Sequence, residues 1–295
     1  MMSSVKSNSN VLKQYEPDIN LNLIFCFILI MFWVNNLVLA LLVNTIKIPF
    51  DNGANIKGSE KAPDEIIKKL DFLNIDNEYD INVKQHMVSV FSDAFLKSWH
   101  TLNSDRFALT IGGDHTISVS SVSAANEFAK SNSEILGVMW CDAHADFNTI
   151  HSSESKNLHG MPVAVLCGHT LPILANGPPL DTSQFGYFGL RDIDSLEFDR
   201  FQEYNMRIID TDREIEAWIN MFDKIHVSFD IDCLDPSVTK SVNTPVNNGK
   251  SVEEMKNLFT KVKKSGKLMS MDIVEYNPDK GKDIDVVVDI VKTLF

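Results

Sequence analysis

An α/β fold, built on a mostly parallel β-sheet with helices on both faces, is predicted by three features of this chain. From about residue 44 onward, strand-like apolar runs alternate with helix-like runs in the rhythm of repeated βα units. The acidic motifs and the glycine turn fall directly after strand-like runs, at the carboxyl ends where such sheets bind ligands. A length of 295 residues, 44% hydrophobic and 23% charged, supplies a sizeable core for one large domain or two smaller ones. No internal repeat or linker divides residues 44–295, which are therefore read as one domain behind a leader of residues 1–43.

Residues Asn44–Phe50 read as the first strand. A glycine-containing loop then leads through Ala62-Pro63-Asp64 into a helix near 63–72, with proline at an early helical position where its missing N–H costs nothing. A longer helix is expected near 81–100. Arg106–Ile111 (strand), 116–130 (helix), Ile135–Cys141 (strand) and a helix around 161–168 after the loop through Gly160 continue the alternation. Strands at 185–190, 206–210, 224–230 and 267–274 then alternate with helices at 194–204, 212–222, 251–264 and 283–294.

The leader is the least regular part. Leu21–Val43 carries no charge and is broken only by Asn22, Asn35 and Asn36, which meets the length of one membrane-spanning helix. It also fits a signal peptide ending near Val38-Leu39-Ala40, a soluble protein whose apolar stretch includes its first strand, or a misassigned start. Lys6 and Lys13 are offset by Glu16 and Asp18, so charge gives no orientation. Cys26, Cys141, Cys167 and Cys233 lack paired zinc spacing and lie mostly within apolar runs. They read as buried free thiols of a reducing compartment, which places the domain of residues 44–295 in the cytoplasm, with residues 21–43 as an anchor to a membrane if they span one. The formal net charge of −13 argues against nucleic acid as a partner, since phosphate binding needs a positive surface.

Chemistry concentrates in three segments. Gly112-Gly113-Asp114-His115 follows a strand, and its glycines permit a tight turn that would present His115 at the top of the sheet. In Asp142-Ala-His144-Ala-Asp146-Phe-Asn148, alternation along an extended chain would put Asp142, His144 and Asp146 on one side. A calcium loop also uses alternate acids, but the glycine at its sixth position and the glutamate at its twelfth are absent, and the central histidine favours a transition metal. Ser228-Phe-Asp230-Ile-Asp232-Cys-Leu-Asp235-Pro236 repeats the pattern. Two such clusters point to a centre holding two metal ions.

Together with Asn157-Leu-His159-Gly160 and Met271-Asp-Ile-Val-Glu275-Tyr-Asn-Pro278, these motifs in this order resemble the ureohydrolases, and within them the arginases, over roughly residues 44–278. The resemblance implies a three-layer αβα domain and two Mn²⁺ ions per chain. His115, Asp142, Asp146 and Asp230 would hold one ion, and His144, Asp142, Asp230 and Asp232 the other. It further implies hydrolysis of L-arginine to L-ornithine and urea by a hydroxide bridging the two ions. Asp146 would orient that hydroxide and relay its proton, His159 would shuttle protons, and Glu275 would bind the guanidinium beside Thr244. Asn148, Ser153 and Ser155 match positions that hold the α-carboxylate, and Asp194 and Glu197 those that address the α-amino group. Cys233 and Asn243 stand where arginases often have glycine, and Lys240 where a proline is usual; no ligand is lost. The tail that helps many arginases form trimers has no counterpart after residue 294, so a homo-oligomer would need other contacts. An agmatinase or guanidinobutyrase activity, or a non-catalytic, membrane-tethered arginine-binding role, stays open at this level.

Overall fold

The computed structural model describes residues 41–295. Strands β1 (Leu42–Ile48), β2 (Asn74–Asp80), β3 (Phe107–Gly112), β4 (Leu136–Cys141), β5 (Phe185–Phe188), β6 (Arg207–Ile208), β7 (Lys224–Asp230) and β8 (Leu268–Val274) form one sheet in the order β2-β1-β3-β8-β7-β4-β5-β6. Every pairing is parallel. The connecting helices are α1 (Ala62–Ile67), α2 (Met87–Asn103), α3 (Ser118–Ser131), α4 (Pro162–Leu166), α5 (Ser195–Glu203), α6 (Asp212–Ile219), α7 (Val252–Ser265) and α8 (Ile284–Val291).

Two apolar clusters, one on each face, make the three layers. Ile66, Trp218, Phe259 and Val287, from α1, α6, α7 and α8, pack with Leu109, Met139, Val227 and Met271. Phe91, Val122, Val163 and Phe201, from α2, α3, α4 and α5, pack with Ile46, Val138 and Trp140. Neighbours such as Val138 and Met139 belong to opposite clusters because side chains alternate across a strand. Helix ends follow local chemistry. At α7 the Ser251 hydroxyl accepts from the Glu254 N–H while the Glu254 carboxylate accepts from the Ser251 N–H at 2.9 Å, and Lys263 and Lys264 occupy the last turn.

The sequence expectations need three adjustments. The strand β2 was not anticipated: Asn74–Asp80 is a mostly exposed edge strand rich in Asn and Asp, residues depleted in strands. The helix expected at 81–100 begins only at Met87, where the His86 side chain caps the Val88 N–H. Leu42 and Val43, counted with the apolar leader, open β1; residues 1–40, with Cys26, lie outside the described residues. Among the described residues no helix is long and apolar enough to cross a membrane.

What positions the site is strand order. The four strands followed by chemical motifs, β3, β8, β7 and β4, are consecutive neighbours at the centre of the sheet. Ile111 pairs with Ile273, Ile273 with Phe229, and Phe229 with Cys141, so these strands end at one height. Residues distant in sequence therefore emerge side by side above the carboxyl edge.

Candidate metal centre

Each strand end curls in a way its sequence dictates. After β3, a Cβ on Gly113 would stand 2.0 Å from the Phe50 carbonyl oxygen, so only glycine lets the chain turn there. The Asp114 carboxylate then accepts from the Thr116 N–H at 3.0 Å and the Gly53 N–H at 2.7 Å, starting the short turn that delivers His115. After β4, the segment 142–146 is a loop and not the extended strand end that alternation suggested. The Asp142 carboxylate accepts from the His144 N–H at 2.7 Å, and Asp146 takes a left-handed φ of 49°. After β7, Asp230 accepts from the Asp232 N–H at 2.7 Å and opens a 3-10 turn. Convergence of the acids thus comes from curled loops. Asp146 and Glu275 (φ 64°) both carry backbone strain of about 1–2 kcal/mol, the kind retained where geometry matters to function.

The side chains meet in two groups that share Asp142: His115, Asp142 and Asp230 in one, Asp142, His144 and Asp232 in the other. His115 Nδ1 lies 3.0 Å from Asp142, 3.1 Å from Asp146 and 3.1 Å from Asp230 oxygens. His144 Nδ1 lies 3.1 Å from Asp232 and 3.4 Å from Asp142. Adjacent ligands about 2.1 Å from an octahedral ion stand about 3.0 Å apart, so this spacing fits donors around a small divalent cation. The fit has a second support. Neither His115 Nδ1 nor Asp146 Oδ2 makes a hydrogen bond, although both are buried. Three carboxylates packed around an imidazole nitrogen that bonds none of them call for a cation between them.

A polar network beneath the site orients that imidazole. Ser228 Oγ donates to Asp272 at 2.7 Å, so it accepts from His115 Nε2–H at 2.9 Å and leaves Nδ1 to face the acids. Asp272 is held in turn by Ser121 at 2.7 Å and His226 at 3.0 Å, and His226 by Ser270 at 2.8 Å. His115 also stacks on Trp140, with centroids 4.2 Å apart. These supporting residues were not singled out from sequence. A signal was present: β7 and β8 are central strands, yet each places polar residues at alternate positions, His226 and Ser228, Ser270 and Asp272.

Above the acids opens a cavity of about 280 Å³ lined by His115, His144, Asp146, Asn148, Ser153, Ser155, Asn157, His159, Asp194, Glu197, Asp230, Asp232 and Thr244, among others. Glu275 sits just behind this lining. One of its oxygens accepts from the His115 N–H at 2.8 Å and lies 3.3 Å from His159 Nδ1, while Oε2 is buried without a partner. Asn148 Nδ2 donates to Asp194 at 2.9 Å, and Thr244 Oγ1 donates to Asp232 at 2.9 Å. Glu197 accepts from the N–H groups of Phe147 and Asp194, so its carboxylate holds backbone as well as facing the cavity. The Ser153 and Ser155 hydroxyls accept from Lys156 and Asn157 N–H groups and shape their own loop. Cys141, Cys167 and Cys233 are buried and free; burial pushes the Cys167 thiol up to about 12.

Electrostatics matches a site suited to positive charge. Burial, then the Asp142 charge, pushes Asp146 up to about 7. Burial, then Glu275, raises Asp114 to about 6, and burial, then Asp146, raises Glu197 to about 8. Burial lowers His159, but the Glu275 carboxylate outweighs it and lifts the imidazole to about 9. Burial likewise opposes the charged forms of His115 and His144, yet neighbouring carboxylates hold both well above the usual range. All these groups bind protons more tightly folded than unfolded, so without metal their contribution favours folding at low pH; that of Asp114, Asp146, Glu197 and His159 is lost as pH rises from about 4 to about 9, and that of His115 and His144 goes on falling beyond. The melting temperature of metal-free protein is expected to fall by on the order of 5–10 °C between pH 5 and pH 9. Added metal, competing with those protons, should raise it more at pH 9 than at pH 5, and scanning calorimetry in both states checks the two slopes.

Comparison with known proteins agrees with this geometry. The sequence model described as the Arginase family matches residues 43–294. An arginase of Entamoeba histolytica is 33% identical over 225 residues, covering 72% of this chain and 75% of that protein. The crystal structure of Entamoeba histolytica arginase in complex with L-ornithine superposes with a TM-score of 0.78 at 28% identity, covering 86% of this chain and 98% of the other. That of Bacillus subtilis arginase gives 0.77 at 27%, with the same coverage. By sequence over nearly all its described length, and by fold, the chain belongs to the arginase family of ureohydrolases.

Proposed function

We propose that this chain hydrolyses L-arginine to L-ornithine and urea with two Mn²⁺ ions. What carries the proposal is a set of three buried, unpartnered atoms at one site: His115 Nδ1, Asp146 Oδ2 and Glu275 Oε2. The first two face the grouped acids and suit metal ions, and the third suits the planar cation of a guanidinium. His115, Asp142, Asp146 and Asp230 would hold one ion and His144, Asp142, Asp230 and Asp232 the other, with Asp142 and Asp230 shared. Carboxylate-rich sets with one imidazole each suit manganese. When bound, two adjacent divalent cations supply Lewis-acid charge that brings the pKa of a water toward neutrality.

The chain's own residues supply the rest. A guanidinium carbon is a poor electrophile, and the amine must leave protonated. Asp146, whose carboxylate lines the cavity beside the candidate ion groups, can take a proton from the attacking water and pass it on. His159, held protonated by Glu275, can return a proton to the departing nitrogen. The carbon–oxygen bond forms, the carbon–nitrogen bond to the side chain breaks, and the proton ends on the δ-amine. Glu275 and Thr244 orient the guanidinium.

Arginine is favoured over agmatine by the outer cavity. Asn148, Ser153 and Ser155 bring donors that a carboxylate requires, and Asp194, supported by Glu197, brings an acceptor for an ammonium. Agmatine lacks the carboxylate and would leave those donors idle. Urea release measured in parallel is expected to favour L-arginine over agmatine by at least about a hundredfold in kcat/KM, because agmatine forgoes several hydrogen bonds to a charged carboxylate. Equal or better turnover of agmatine would reassign the substrate.

A further inference from the structure

The loops beyond β4, β5 and β7 meet at one side chain that belongs to neither ligand group, Arg191. Its Nη2 donates to the carbonyls of Asp232 at 2.8 Å and Val246 at 2.7 Å, its Nη1 to Gly189 at 2.9 Å, and its Nε to Asn247 at 3.1 Å. Longer contacts reach the carbonyls of Cys233 at 3.3 Å and Leu234 at 3.4 Å. Its own N–H donates to the Ala143 carbonyl at 2.9 Å, between Asp142 and His144. One residue thus holds backbone from three segments: 142–144 through its amide, 232–234 and 246–247 through its guanidinium.

The third segment needs such a tie. Residues 243–249 form neither helix nor strand, yet carry Thr244, whose hydroxyl donates to the Asp232 carboxylate. Space has been cleared for the arrangement: a Cβ on Gly249 would stand 2.5 Å from the Asp235 nitrogen and 2.7 Å from Arg191 Nη2. A guanidinium offers five N–H donors in a rigid fork, so it can satisfy carbonyls on two loops at once and fix their spacing. Lysine, with three donors on a flexible stem, cannot reproduce that geometry.

We propose that Arg191 is a positioning residue that sets the loop 243–249 and the Asp232 turn in register with the 142–146 loop. It acts through Thr244 and Asp232, and so governs the ion group of His144 and Asp232 and the guanidinium side of the cavity. This rests on the two-ion reading of the site given above.

The test uses the full chain and its R191K and R191M variants, with V291A, a truncation of a buried core residue in α8, as a comparison for general loss of stability. Amide hydrogen exchange is followed without metal, and bound Mn²⁺ and the KM for L-arginine are measured with it. Both Arg191 variants are expected to exchange at least about tenfold faster over 231–235 and 243–249 with no change over α3, since each loses several charge-assisted hydrogen bonds. Bound Mn²⁺ should fall from two toward one, and KM should rise at least about fivefold, while V291A keeps both ions and its KM. Exchange and ion counts in R191K and R191M indistinguishable from V291A would overturn the proposal. So would loss of the fold in both variants, which would make Arg191 a support of the whole domain. An unmodified chain that binds fewer than two ions would instead overturn the two-ion reading, and the exchange comparison would still report on Arg191.

Discussion

Replacing Asp142 with asparagine is expected to reduce urea release at least about a thousandfold and to leave fewer than two Mn²⁺ per chain, more than the ten- to hundredfold typical of groups behind the ligands. Of the two ligands proposed as shared, Asp142 and Asp230, only Asp142 falls in both of the side-chain groups the geometry brings together: its Oδ2 lies 3.0 Å from His115 Nδ1 and its Oδ1 3.4 Å from His144 Nδ1. Both oxygens also accept hydrogen bonds, from Trp140 Nε1 at 3.0 Å and the His144 N–H at 2.7 Å. Asparagine keeps the size of the side chain but must turn an NH₂ toward one of those donors and toward one ion. The fold should survive, because neither apolar cluster is touched. Elemental analysis alongside the urea assay checks this; two retained ions with full activity would remove Asp142 from its shared place.

Glu275→Gln is expected to separate substrate binding from metal binding. Activity should fall about a hundredfold or more in kcat/KM while both ions remain, because a charge-assisted pair to a planar cation is replaced by a neutral contact. The structure makes the separation clear. Glu275 belongs to neither candidate ion group, its Oε1 accepts from the His115 N–H, and its Oε2 has no partner. Glutamine preserves the contact to the His115 N–H and removes the charge. Loss of metal in this variant would show that Glu275 supports the ions; unchanged kcat/KM would show that it does not meet the guanidinium.

Much of this was legible in sequence because the candidate ligand residues sit in short motifs at strand ends. The alternation of elements conveys a parallel sheet, and the sheet's carboxyl edge conveys the place of the site. What alternation misjudged was local: Asp142, His144 and Asp146 converge because the chain curls beyond Cys141, with Asp146 in a left-handed conformation that no periodicity signals. The edge strand β2 escaped notice because its residues are chosen for exposure, with only Ile75 and Tyr79 partly covered. Supporting groups were the least visible. Ser228, His226 and Asp272 are remote from one another in the chain or face one another only once β7 and β8 pair, and Arg191 owes its role to carbonyls whose positions no side chain announces. The departures at Cys233, Lys240 and Asn243 are absorbed locally. Cys233 Sγ donates to the Phe188 carbonyl, the Lys240 N–H to Asp283, and Asn243 accepts from Asn277.

The account rests on two ions and an arginine guanidinium sharing one site. Stripping the full chain of metal with a chelator and then titrating Mn²⁺, with bound ion and urea from L-arginine followed together, tests this most directly. Activity should be absent without metal and should reach its plateau as the second Mn²⁺ per chain binds; a plateau at one ion, or two bound ions without urea, would contradict it.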